Sequence, residues 1–264
     1  MIFNNRIKAL FLRHIYLIKG SVPRVIDLIY WPTIQIILWG FISKFFSINA
    51  TSLNYGVGII LSAAVLYDFL FRSSISFNML FLEEIWSRNF TNLFVSPIKI
   101  SEIIISLTFA SLIRALIGVV PAVLIISPLF DFSLLDLGLG ILPLLLNLYI
   151  FGISLGLMVS SGLLRFGPAF ENIAWSSLFL LAPIGCIYYP LSILPDWLQF
   201  ISKLFPLVYI FETARGILLT NSFEYLNLIY ASLINILYLT ISISLFYISY
   251  YTAKKKGNLI NIGE

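Results

Sequence analysis

The sequence contains one cysteine, one histidine and three methionines, and only 11% of its 264 residues are Asp, Glu, Lys or Arg. Soluble domains average about 25% charged residues, so a solvated globular enzyme is excluded. Cys186 has no partner for an internal disulfide. His14 alone supplies no material for histidine metal clusters or for Ser-His or Cys-His catalysis. The sequence also lacks a Gly-x-x-x-x-Gly-Lys-Ser/Thr phosphate cradle, a His-Glu-x-x-His helix, a Gly-x-Ser-x-Gly elbow and a Rossmann glycine pattern. No catalytic residue, metal site or cofactor is therefore assigned to this chain, and no stretch is polar and long enough to form a nucleotide-binding domain. A net charge of +4 gives no reason to expect a nucleic-acid partner; where each cation sits carries more information than the sum.

What is abundant is apolar surface. Hydrophobic residues make up 60% of the chain and aromatics 16%, which excludes disorder and leaves an all-α polytopic membrane protein. Six apolar runs are long enough to span, at Val25–Phe46, Val57–Met79, Ile103–Ile126, Gly138–Leu164, Asn172–Tyr189 and Leu228–Tyr251. Each is apolar on every face over about 20 residues, whereas barrel strands alternate over about ten. No cleavable signal peptide is expected before the first run.

Cations are retained on the cytoplasmic side of a membrane. The N-terminal stretch carries Arg6, Lys8, Arg13, Lys19 and Arg24, the second connection Arg72, Arg88 and Lys99, the fourth Arg165, and the tail Lys254, Lys255 and Lys256. The odd connections hold only Lys44, Lys203 and Arg215. Both termini are expected in the cytoplasm of a cell whose cytoplasmic (inner) membrane holds the protein, in agreement with an even number of spans. Residues 1–24 then form a cytoplasmic amphipathic helix, 25–251 the transmembrane domain and 252–264 a basic tail.

Three segments are not simple spans. Phe3, Ile7, Leu10, Phe11, Leu17 and Ile18 share one side of a helical wheel opposite Arg6, Lys8, Arg13 and Lys19, the pattern of a helix lying in the headgroup layer. Residues 80–97 read as a second amphipathic helix, with Leu82, Ile85, Trp86, Phe90 and Leu93 on one face and Glu84 and Arg88 spaced to pair on the other. Such a helix either docks a soluble partner or packs its stripe on the ends of the spans. Residues 190–219 are apolar yet broken by Pro195 and Pro206. They form either a re-entrant pair of short helices on the outer side or two helices flat on the outer leaflet, with Glu212 and Arg215 spaced i, i+3 to pair.

Inside the spans, Asp68, Arg72 and Arg114 are expected to form an ion pair or triad facing the bundle, because unpaired charge is costly there. Gly152, Gly156, Ser160, Ser161 and Gly162 give the fourth span a small-residue face suited to close packing within or between subunits.

The order of these parts resembles the permease subunits of the type-2 exporter superfamily of ABC transporters, which includes drug, nodulation-factor and polysaccharide exporters. The resemblance covers nearly the whole chain. It is carried by Asp27-Leu-Ile-Tyr-Trp-Pro32 and Trp39-Gly40, by Glu83-Glu84 through Leu93 to Ser96-Pro97, and by Tyr189-Pro-Leu-Ser-Ile-Leu-Pro-Asp-Trp197 followed by Phe205-Pro206 and Glu212-x-x-Arg215. Where the family often has Gly-Thr after the glutamate, this chain has Ile85-Trp86-Ser87. The resemblance implies an ATP-driven exporter whose path is formed by two permease chains in membrane lipid, coupled to a separate ATPase subunit that binds ATP and Mg. It implies a coupling helix with Glu83, Glu84, Trp86, Arg88 and Leu93 at the ATPase, and an outer gate containing Pro195, Trp197, Pro206, Glu212 and Arg215. An amphipathic, lipid-linked, glycan or drug-like substrate fits the apolar path. An ATP-independent carrier or channel is the alternative, and would be favoured by an inverted repeat with two broken spans.

Overall fold

The computed structural model of the protein describes residues 2–49, 56–87, 89, 92–93 and 96–256. Among them are nine α-helices and no strand: α1 (Ile2–Lys19), α2 (Val22–Asn49), α3 (Gly56–Trp86), α4 (Ile100–Phe130), α5 (Ile141–Phe166), α6 (Glu171–Ile184), α7 (Asp196–Ser202), α8 (Pro206–Thr220) and α9 (Tyr225–Lys256). Helix is the expected form, because an apolar segment away from water must satisfy its backbone N–H and C=O groups internally. The long helices stop where the backbone turns left-handed, at Asp131 after α4 and at Gly167 after α5, each with its N–H bonded back into the helix it ends.

Side-chain pairings give each helix its direction. Gly118 of α4 lies against Leu28 of α2, and Phe130 lies against Gly40, so α2 and α4 run parallel. Gly152 and Gly156 of α5 meet Ser73 and Phe77 of α3, and Asn147 and Phe151 meet Asn235 and Tyr238 of α9, so α3, α5 and α9 share a direction. Phe81 of α3 packs on Phe246 of α9, while Arg13 of α1 pairs with Glu84 of α3. The N-terminal helix and the end of α9 that carries Lys254 and Lys255 therefore lie at one end of the bundle, here called the basic end.

Five helices, α2, α3, α4, α5 and α9, are long and apolar enough to cross a membrane. The expected span at Asn172–Tyr189 is not one uninterrupted helix. α6 climbs antiparallel to α3, with Trp175 and Phe179 against Phe71 and the Tyr67 hydroxyl bonded to the Leu178 carbonyl at 2.6 Å. It has 14 residues, about 21 Å, short of the ~30 Å hydrocarbon layer. Pro183 lies in its last turn, Gly185 ends it and Cys186 has φ +52°. A Cβ on Gly185 would lie 2.7 Å from Leu207 Cδ1, so the glycine lets the start of α8 abut the end of α6. From there α8 runs antiparallel to α9, with Phe205 stacked on Tyr238, Tyr209 near Tyr230 and Ile217 reaching Gly140.

The small-residue face of the fourth apolar run packs within this chain. Cβ atoms on Gly152 or Gly156 would approach α3 to 3.0 Å. Polar side chains lock the same interfaces: Ser160 donates to Asn78 at 3.1 Å, and Asn235 donates to Asn147 Oδ1 at 2.9 Å and to its carbonyl at 3.0 Å. On α1, Leu10, His14 and Ile18, spaced i, i+4, i+8, are buried against the bundle.

A close approach to backbone yields a test. A Cβ on Gly118 would sit 2.8 Å from the Leu28 carbonyl oxygen, a backbone atom that cannot swing aside. Gly118→Val is expected to cost about 1–3 kcal/mol by overpacking. The check is a lower thermal midpoint in detergent than that of Leu124→Ala, a change at an outward-facing position of the same helix.

Candidate functional site

The N-terminal helix, the end of α3 and the start of α4 converge on two adjacent carboxylates. Glu84, 2% exposed, accepts hydrogen bonds from Arg13 and from Asn89 Nδ2 (2.6 Å), with His14 Nε2 at 3.7 Å. Glu83 lies 3.3 Å from Arg114 and 3.9 Å from Arg24. Below them Arg6 reaches the Pro97 carbonyl and lies 3.9 Å from Glu102, which in turn accepts the Lys99 N–H at 2.6 Å and caps α4. Four arginines from α1, α2 and α4 are thus gathered on three glutamates around the segment that joins α3 to α4. Burial holds the His14 pKa below its usual 6.5, outweighing the attraction of Glu84. The imidazole is accordingly neutral near pH 7.

The segment expected to form the coupling helix, residues 80–97, is described in part. α3 runs to Trp86, and beyond it the Leu93 N–H bonds to the Asn89 carbonyl and the Ser96 N–H to the Asn92 carbonyl. Glu83 and Glu84 face their own chain, because Arg13, Arg24 and Arg114 surround them. Leu82, Ile85 and Leu93 are buried, so most of the stripe packs on the bundle. Trp86 is 56% exposed at this end. Arg88 lies outside the described residues.

The expected triad inside the spans divides. Arg72 Nε lies 3.4 Å from the fully buried Asp68, one turn away on α3. Arg114 instead reaches Glu83, because α4 extends well past the end of α3 towards the basic end and brings Arg114 level with it. Both guanidiniums nevertheless line one cavity of about 550 Å³ between α2, α3, α4 and α6, with Asp27, Trp31 and Gln35 on α2 and Trp175 and Phe179 on α6. Trp31 Nε1 donates to Asp27 at 2.8 Å. Further along α2, Trp39 stacks on Tyr188 at 4.0 Å, so α2 meets the segment after α6 there.

At the other end Glu212 and Arg215 pair at 3.0 Å and also bind the chain after α6. Arg215 donates to the carbonyls of Cys186 (2.9 Å) and Ile187 (3.2 Å), and Glu212 accepts the Leu191 N–H at 2.8 Å. Pro195 precedes α7 and Pro206 opens α8. Trp197 is 67% exposed.

Sequence reasoning did not find Arg13, Arg24 and His14 as partners of the Glu83–Glu84 pair, nor Trp31 and Trp175 as walls of one cavity. The legible signal was an imbalance: two adjacent acids at the end of an apolar run need more cations than Arg88 supplies. The i, i+4 spacing of Asp27 and Trp31 was likewise present to be read.

A family model described as "ABC-2 type transporter" matches residues 7–219, most of the chain. No curated protein matches it significantly. The chain belongs to the ABC-2 type transporter family, as an integral membrane permease component of an ABC transporter. The family implies an ABC ATPase partner.

Because the His14 pKa is lowered by folding, the unfolded or detached segment binds the proton more tightly. Stability is therefore complete above about pH 6.5 and is lost as pH falls through the lower folded value. Hydrogen exchange of the α1 amides should quicken on acidification below pH 6.5 in the wild type, and His14→Gln should remove most of that dependence.

Proposed function

We propose that this permease is half of an ATP-driven exporter in the cytoplasmic membrane, with both termini in the cytoplasm and a second copy of the chain completing the path. The reading rests chiefly on the carboxylate pair at the basic end. It binds α1, α2, α3 and α4 through Arg13, Arg24 and Arg114 while leaving Trp86 outward. A separate ATPase subunit, which holds ATP and Mg, docks on Trp86 and Arg88, while Leu93 anchors the segment to the bundle behind them. The roles of Glu83 and Glu84 are to make that segment rigid with the helices behind it. A push on the segment then moves four helices together instead of bending one connection.

Six passages follow if α6 and α8 together count as one, the break between them filled by the excursion through α7. The start of that excursion, at Cys186, Ile187 and Leu191, is held to α8 by Glu212 and Arg215, while Pro195, Trp197 and Pro206 shape its outer part. This element serves as the outer gate. Its strength as a gate depends on the difference in the partner's affinity for the two permease states, since a ligand that binds both equally shifts nothing. The substrate is an amphipathic, lipid-linked, glycan or drug-like molecule, in keeping with a path between largely apolar helices.

Affinity purification of the tagged chain from its native membrane in mild detergent should bring down an ATPase subunit in stoichiometric amount. Trp86→Ala should cut that recovery and the transport-linked hydrolysis at least fivefold while membrane insertion stays normal. An intact, folded chain that repeatedly carries no ATPase overturns the reading.

A further inference from the structure

The cavity between α2 and α6 lies between the docking end and the outer element, and its chemistry is specific. Its volume of about 550 Å³ falls within the ~300–1,000 Å³ range of small-molecule sites. Trp31, Phe71, Trp175 and Phe179 form apolar walls, while the charged groups on its lining are two guanidiniums and one carboxylate. The carboxylate, Asp27, is engaged by the Trp31 indole N–H at 2.8 Å and holds that ring against the wall.

Neither guanidinium is well satisfied by its acid. Charge-assisted N–H···O bonds run about 2.7–2.9 Å, yet Arg72 meets Asp68 at 3.4 Å and Arg114 meets Glu83 at 3.3 Å. Arg114 Nε is buried without a hydrogen-bond partner. Asp68 Oδ1 is buried and lacks one too. Cations this deep are retained only where they pair or serve a ligand, and each guanidinium has five N–H donors.

We propose that this cavity binds the anionic group of an amphiphilic substrate at Arg72 and Arg114, with the apolar part along the four aromatic rings, and that Arg114 relays occupancy to Glu83. The proposal rests on the permease reading for the word substrate alone; the cavity's anion selectivity stands apart from it. The relay is competitive. Arg114 shares Glu83 with Arg24, so an anion that draws Arg114 into the cavity loosens the carboxylate three residues before Trp86. Substrate occupancy thereby changes the docking end without any other long-range motion.

The probe is 12-bromododecyl phosphate, whose bromine quenches tryptophan on contact, titrated against the purified chain in a neutral detergent. The charge-reversed control is 12-bromododecyltrimethylammonium. Saturable quenching by the phosphate, at least tenfold tighter than by the ammonium and lost in a Trp31→Phe, Trp175→Phe variant, is expected. Arg72→Gln and Arg114→Gln should each weaken it about tenfold to a hundredfold, the loss of one charge-assisted contact. Equal binding of the two probes to the wild type overturns the assignment, and that comparison needs no variant to fold. Glu83→Gln frees Arg114, so it should bind the phosphate probe at least as tightly. In the complex with its ATPase, the probe should change hydrolysis at least twofold in the wild type but not in Glu83→Gln; a response kept in the variant overturns the relay. A complex with ATPase that ignores the anionic probe defeats the cavity assignment alone. Probe binding by a folded chain that never carries an ATPase defeats the permease reading and leaves the cavity.

Discussion

Two adjacent carboxylates, Glu84 buried and Glu83 half-buried, hold the first half of this protein together. They sit near the end of α3 among buried apolar residues such as Leu82 and Ile85, so most of their charge must be met from within the chain. Arg13, Arg24 and Arg114 come from three other helices to meet it. The direction of α1 along the bundle, the entry of α2 and the register of α4 against α3 all follow from that requirement. Losing either acid would leave arginines partly buried without a counter-charge, a larger penalty than the net worth of the pair.

The second half is organised by a different constraint. Its helices carry few charges, so apolar attraction alone does not distinguish one packing from another in an apolar surrounding. Small residues and buried amides supply the distinction. Gly152 and Gly156 admit α3 to close contact, and Asn147 accepts from both Asn235 and Ser232, which fixes α9 in rotation and height. Where the chain must break, between α6 and α8, Arg215 and Glu212 take up carbonyl and N–H groups that the interrupted helix leaves open. The broken passage is thus satisfied by side chains in place of helix bonds.

The two halves meet at the cavity of Arg72 and Arg114, walled by α2 from the first and α6 from the second. One of its arginines, Arg114, belongs to the charge network at the basic end. A charged group that serves both a ligand-sized space and a mechanical joint is a compact route by which binding in one place alters the other, and it needs only one contact with two alternative partners.

The apolar runs by themselves determined that the chain is helical and built to lie in a membrane, because runs of about twenty predominantly apolar residues satisfy their backbone there as helices. Motif absence determined that it carries no phosphate cradle of the Walker type, and the order of its parts was enough to place the family. Local spacing also located Glu212–Arg215 and Asp68–Arg72, pairs that lie within one helix and so depend only on the helical repeat. Only the tertiary structure decided that Arg114 pairs with Glu83 instead of Asp68, that Glu83, Glu84 and Leu93 turn inward, and that the run after Asn172 breaks at Gly185. Those outcomes depend on how far one helix extends past another and on which backbone must approach which, quantities set by the packing of distant segments and absent from the periodicity of any one of them.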